Sequence, residues 1–174
     1  GFFALYCPKA KGDFVVVCPG ARSHLKRWPG DHFAALCDRI IGDLGISVVF
    51  AGSGDDSVIV RGICDRMKRR AFNLVNSTNI RELAALIKMA RALVTNDSAP
   101  LHAGCAVGAK VLAVFGPTDP ALYGPTGKSD VVIQKKLPCV PCEEAVCGRD
   151  YECMRSISAD EVFRAFEKMI SSTS

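Results

Sequence analysis

The amino-acid sequence predicts an α/β domain built on an open, mostly parallel sheet with helices on both faces. Three observations predict it: apolar β-branched runs that do not alternate with polar residues, helical periodicity between those runs, and glycine or proline turns where the runs stop. The 174 residues, 49% of them hydrophobic, suffice for one sizeable core and not for two of ordinary size, so a single domain over 1–174 is expected.

Phe14-Val15-Val16-Val17-Cys18, ended by Pro19-Gly20, reads as a strand buried on both faces. Phe33, Leu36, Cys37, Ile40, Ile41 and Leu44 then recur at helical spacing, with Gly45 where a helix would stop. The unit repeats. Strand 46–50 leads into the turn Ala51-Gly52-Ser53-Gly54 and a helix that opens on Asp55-Asp56-Ser57, carries Ile59, Ile63 and Met67, and is closed by Lys68-Arg69-Arg70. That basic run reads as a solvated helix end. A short apolar segment near Phe72-Asn73-Leu74 precedes a helix capped by Asn79, with Glu82 three residues on. Strand 92–95 runs into Asn96-Asp97-Ser98-Ala99-Pro100 and a small-residue helix through Ala106. Strand 111–115 stops at Gly116-Pro117, and a final helix opens on the box Ser158-Ala159-Asp160-Glu161. The last four residues are candidates for disorder.

Composition narrows the function. Lys and Arg number 22 against 18 Asp and Glu, a net charge of +4; this mild excess speaks against nucleic acid and fits an anionic small ligand. No apolar run approaches the roughly 20 residues of a membrane-spanning helix, and the first residues lack a signal-peptide pattern, so a soluble chain is expected. Five of the nine cysteines (Cys7, Cys18, Cys37, Cys64, Cys105) are scattered singly, as expected of reduced thiols in a cytosolic protein.

In an open parallel sheet the ligand lies at the carboxyl ends of the strands. The loop 19–29, Pro-Gly-Ala-Arg-Ser-His-Leu-Lys-Arg-Trp-Pro, brings cations to a strand end and suits phosphate, with Lys26 the leading contact; a merely solvated basic loop is the alternative, and Trp28 reads as a packing anchor. In Asn96-Asp97-Ser98-Ala99-Pro100-Leu101-His102 a helix start would offer unpaired N–H groups to a pyrophosphate or a sugar hydroxyl. Asp97 can cap that helix or accept from a sugar hydroxyl. His102, one turn after Ser98, can donate to phosphate or be satisfied in the core. Gly52, Asp55 and Asp56 can admit a nucleoside, with an acidic side chain on ribose, or form a solvent-facing turn. Phe115-Gly116-Pro117-Thr118-Asp119-Pro120 with Tyr123-Gly124-Pro125 is a stiff loop that can wall a base pocket or simply turn the chain.

Cys139, Cys142, Cys147 and Cys153 pack four thiols into 15 residues. Structural zinc, an iron–sulfur centre, disulfides and free packed thiols all remain open. Each makes the loop a staple for the last helix, with no part in catalysis.

Pro19-Gly20-Ala21 with Lys26-Arg27-Trp28-Pro29, the segment Asn96 to His102, and Phe115-Gly116-Pro117-Thr118-Asp119-Pro120, in that order, resemble the C-terminal domain of the ADP-heptose:lipopolysaccharide heptosyltransferases. The resemblance implies the Rossmann-like half of a two-domain GT-B enzyme that holds the nucleotide-sugar donor. It implies an inverting transfer of heptose from ADP-heptose to the lipopolysaccharide inner core, with no metal needed for catalysis. By the same resemblance Lys26 contacts donor phosphate, Asp97 contacts the sugar, and Ser98, Ala99 and His102 cradle the diphosphate. Relatives often carry glycine where Ala99 stands, and hydroxyl side chains where Ala21 and Arg22 stand, so those hydroxyl contacts do not transfer. The general base belongs to an N-terminal acceptor domain that is not in this chain, and a start at Gly1 almost directly before the first strand fits a piece of a longer protein. Alone, the domain is expected to bind and not to catalyse. The intact enzyme is expected in the cytoplasm or peripheral at the inner face of a bacterial inner membrane. The alternatives are a transferase of the same fold using another nucleotide-sugar, and a nucleotide-binding module without transfer chemistry.

Overall fold

A computed structural model describes residues 13–142 and 144–172; Cys7 and the end of the tail expected to be disordered lie outside the described residues. Among the described residues six strands form one sheet: β1 (Phe14–Cys18), β2 (Ser47–Phe50), β3 (Phe72–Asn73), β4 (Ala92–Asn96), β5 (Val111–Phe115) and β6 (Val131–Gln134), in the order β3-β2-β1-β4-β5-β6. Every pairing is parallel, with Val16 opposite Val49 and Leu93, and Val94 opposite Leu112. The chain reverses its direction of travel across the sheet between β1 and β4, which is where a doubly wound sheet opens a crevice.

The apolar runs do not alternate because each face of the sheet has its own core. Val15, Val17, Val48, Phe50, Val94, Leu112 and Val114 pack under α1 (Gly30–Leu44), α2 (Ser57–Cys64) and the last helix, α7 (Ala159–Ser171). Val16, Cys18, Val49, Leu93, Val111, Ala113 and Phe115 pack under α3 (Ile80–Met89) and α4 (Ala99–Ala106). Two short helices, α5 (Pro120–Tyr123) and α6 (Glu152–Arg155), lie in the connections beside β6. At roughly 25 cal/mol per Å² of apolar surface removed from water, these two layers are the main stabilising term of the fold.

Local signals set the boundaries. Gly45 ends α1 at φ +67°, a left-handed conformation that glycine adopts without strain. Asn79 accepts from the N–H groups of Arg81 and Glu82, while Glu82 accepts from the N–H of Asn79. The expected close of the second helix differs: α2 stops at Cys64, and the N–H groups of Lys68 and Arg69 instead donate to the Asp38 carboxylate at 2.8–3.0 Å. The basic run is therefore tied to α1 by its backbone and does not form a helix terminus.

Candidate functional site

Among the described residues the buried polar side chains are Thr95, Asn96, Asp97 and Thr118. All four sit just inside or just beyond the carboxyl ends of β4 and β5. Burying polar groups is unfavourable unless they are paired, so their grouping marks a built site.

Asn96 positions the loop that follows β1. Its amide Nδ2 donates to the carbonyl of Pro19 at 2.7 Å, and its Oδ1 accepts from the N–H of Trp28 at 3.2 Å, so one side chain holds both ends of the loop. Trp28 is the packing anchor, 2% exposed, with Nε1 donating to the carbonyl of Ile157 at 2.9 Å and its ring edge-on to Phe33. Arg27 closes the loop on itself by donating to the Ala21 carbonyl at 2.9 Å. Between these fixed points a short 3₁₀ turn, His24–Lys26, buries Leu25 and turns Lys26 toward the crevice.

Lys26 meets Asp97 there. Its Nζ donates to Oδ2 of Asp97 at 2.6 Å, and Thr118 Oγ1 donates to the same oxygen at 2.6 Å. The ammonium also lies 5.7 Å from the centre of the Tyr123 ring, a favourable place for a cation. The carboxylate of Asp97 is thus held from two directions. It does not cap α4: that place belongs to Ser98, whose hydroxyl lies 3.2 Å from Thr95 Oγ1 and makes no side-chain bond to the helix. With Pro100 in the first turn lacking an N–H, the donors at the start of α4 are not consumed by a cap.

Ala99 opens α4 in helical conformation and is not among the residues with positive φ, so alanine stands there without backbone strain. His102 is exposed on α4, one turn after Ser98, and is not satisfied in the core. Lys26, Asp97, Ser98, Ala99 and His102 therefore come from one loop and one helix start, at the point where strand order reverses.

Gly52, Asp55 and Asp56 occupy the neighbouring strand end, and Asp56 has structural work. Its Oδ2 accepts from the N–H of Ser53 at 2.8 Å and from the Ser53 hydroxyl at 3.0 Å, a capping box around the turn Gly54–Asp56. A Cβ on Gly20 would lie 1.9 Å from Asp56 Oδ1, and one on Gly52 would lie 2.5 Å from Oδ2, so both glycines make room for this carboxylate. Beneath it, burial pushes the Cys18 thiol well above the usual range, and the charge of Asp56 adds to the shift. Asp55 is exposed.

Cys139, Cys142, Cys147 and Cys153 line one cavity together with Leu25 and Pro117, which places the cysteine loop directly behind the Lys26 turn. The N–H of Cys142 donates to the Pro117 carbonyl at 2.9 Å, and the His24 ring is edge-on to Tyr151. Among the described residues no three His, Cys, Asp or Glu side chains are placed to hold a metal ion as they stand. Asn96 and Thr118 stand within the motifs quoted from the sequence but carried no role of their own there, and Gln134 was not named at all. The partners of all three lie past the ends of other strands, so no local stretch of sequence displays their roles.

A family model described as glycosyltransferase family 9 (heptosyltransferase) matches residues 4–151. A lipooligosaccharide heptosyltransferase 2 of Haemophilus ducreyi is 33% identical over 124 residues, which are 67% of this chain and 35% of that protein. A family 9 glycosyl transferase from Veillonella parvula superposes with a TM-score of 0.84 at 26% identity, covering 97% of this chain and 49% of that one. The ADP-heptose lipopolysaccharide heptosyltransferase II of E. coli superposes with a TM-score of 0.83 at 24% identity, again over 97% and 49%; this likeness is one of fold. The chain spans half or less of the length of each of them.

Proposed function

The chain belongs to glycosyltransferase family 9, the heptosyltransferases, and from that premise we propose that it is the nucleotide-sugar-binding half of an enzyme that transfers heptose from ADP-heptose to the lipopolysaccharide inner core. The observation that carries the reading is the convergence of Lys26, Asp97 and the uncapped start of α4 at the reversal point between β1 and β4. Lys26 and the N–H groups at Ser98 and Ala99 bind the diphosphate, His102 donates to it from the next turn, and Asp97 accepts from sugar hydroxyls.

As the bond from the sugar to ADP breaks, negative charge grows on the diphosphate. An ammonium beside it and a helix start aimed at it stabilise that charge more in the transition state than in the ground state, so the leaving group departs without a metal. The base that deprotonates the acceptor hydroxyl comes from the remainder of the protein, the half that binds the lipopolysaccharide core at the cytoplasmic face of the inner membrane.

Calorimetric titration with ADP, UDP and GDP tests the reading. ADP should bind best, and Lys26→Ala should weaken it at least tenfold. A preference for UDP or GDP would point to another donor, and an unaffected Lys26→Ala would remove the phosphates from this loop.

We infer that the cysteine loop can take up a structural metal ion: its four thiols line one cavity, although no three of them are placed to hold an ion as they stand. The N–H groups of Arg149 and Tyr151 point at Sγ of Cys147 at 3.4 and 3.3 Å, an arrangement that supports a ligating thiolate. Binding would draw the thiols together and release their protons. Metal analysis of protein purified without oxygen should find zinc or iron that is lost in Cys147→Ser; metal-free protein with free thiols would overturn the assignment.

A further inference from the structure

We propose that Thr118 is a positioning residue for donor-sugar recognition, one that fixes which oxygen of Asp97 faces the sugar; this rests on the donor-binding reading above. Thr118 is 5% exposed, and its hydroxyl donates to Asp97 Oδ2 at 2.6 Å, the oxygen that also accepts from Lys26. Both donors fall on one oxygen. Oδ1 accepts no hydrogen bond among the described residues, and the fully buried side-chain atoms without a partner there number only His32 Nδ1. Oδ1 is therefore reachable by solvent and stands as the acceptor for a sugar hydroxyl.

A carboxylate rotates about its last bond through a broad, roughly two-fold well, so the carboxylate by itself does not choose an orientation. Lys26 is a flexible point charge that must also serve the diphosphate, and an ammonium sets direction poorly. The Thr118 hydroxyl is the stiffer partner. Its backbone is pinned by Gln134 of β6, whose Nε2 donates to the carbonyls of Thr118 at 2.7 Å and Gly116 at 2.9 Å. The preceding Pro117 carbonyl is pinned by the N–H of Cys142. When the donor's diphosphate draws on Lys26, Thr118 keeps Oδ2 occupied and Oδ1 turned outward. Removing it should hurt recognition of the sugar more than recognition of the nucleotide.

The test compares the affinities of ADP and ADP-heptose for the wild-type chain, Thr118→Val and Thr118→Ser. Thr118→Val preserves shape and removes the donor. It should lower the preference for ADP-heptose over ADP about tenfold, equivalent to about 1.4 kcal/mol, while the ADP affinity stays within about twofold. Thr118→Ser should restore the preference. An unchanged preference in Thr118→Val, or equal loss for the two ligands, would overturn the proposal. A wild-type chain that binds neither ligand would sink the donor-binding reading and this proposal with it, a failure distinguishable from one confined to the Thr118 variants.

Discussion

Lys26 and Asp97 stand 71 residues apart in the chain and 2.6 Å apart at their charged atoms. The aspartate is 7% exposed, whereas the lysine reaches partly into solvent. Such a pair is asymmetric: the buried acid depends on the lysine more than the lysine depends on it. Lys26→Met should therefore destabilise the fold by about 1–3 kcal/mol, by leaving a buried carboxylate with Thr118 as its remaining donor. Urea unfolding of Lys26→Met, Asp97→Asn and the double variant measures the coupling directly. A coupling above about 1 kcal/mol is expected; a value near zero would mean that the pair contributes to ligand binding alone.

Asn96 makes a different prediction, because its side chain is fully buried and spent on two backbone groups at the ends of one loop. Asn96→Leu leaves the Pro19 carbonyl and the Trp28 N–H buried without partners. At about 1–3 kcal/mol each, the loss should total about 2–4 kcal/mol, since relaxation recovers part of it. Nucleotide affinity should fall as well, although Asn96 donates to no ligand group, because the turn carrying Lys26 loses its frame. Unchanged affinity in the folded variant would show that Trp28 packing alone holds the loop.

The framework of the fold was legible where one residue type answers one local need. Gly45 was readable as a helix stop because a left-handed residue is required there, and Asn79 with Glu82 as a start because orphan N–H groups need acceptors nearby. β6 was not readable: Val131–Gln134 is four residues long and half-buried throughout, so it shows neither a buried run nor alternation. Lys26, Asp97, Ser98, Ala99 and His102 were legible as motif residues at strand ends. The pairing of Lys26 with Asp97, and the part of Thr118, depend on β1, β4 and β5 lying side by side, which no local window contains. Asp56 was open between a ribose contact and a turn, and its Ser53 bonds give it a capping role.

Gly20 tests that capping role. An alanine there would set its Cβ 1.9 Å from Asp56 Oδ1, and the carboxylate cannot swing away without giving up its two bonds to Ser53. Gly20→Ala should destabilise the chain by about 1–3 kcal/mol through overpacking. Asp56→Ala alone should lose only about 1 kcal/mol with its cap. The combination should then melt higher than Gly20→Ala by itself; a double variant less stable than either parent would mean that Gly20 is required for another reason.

The cysteines separate by burial, and their chemistry should follow. Burial pushes the thiols of Cys18 and Cys37 far above the ordinary range, with nearby Asp56 and Asp38 adding to the respective shifts, so at any working pH almost none of either is thiolate. Cys153 is shifted the same way by its own burial and then by Cys147, Cys142 and Cys139, while Cys142 is exposed. Alkylation of the metal-free protein at pH 8 followed by peptide mapping should therefore label Cys142 first, Cys153 later, and Cys18 and Cys37 last. The thiolate is the nucleophile, and these two must wait for the strand or helix carrying them to open, so their labelling rate should rise with urea in step with global unfolding. Rapid labelling of Cys18 in the native protein would instead mean that β1, the strand on which the Lys26 loop is built, opens on its own.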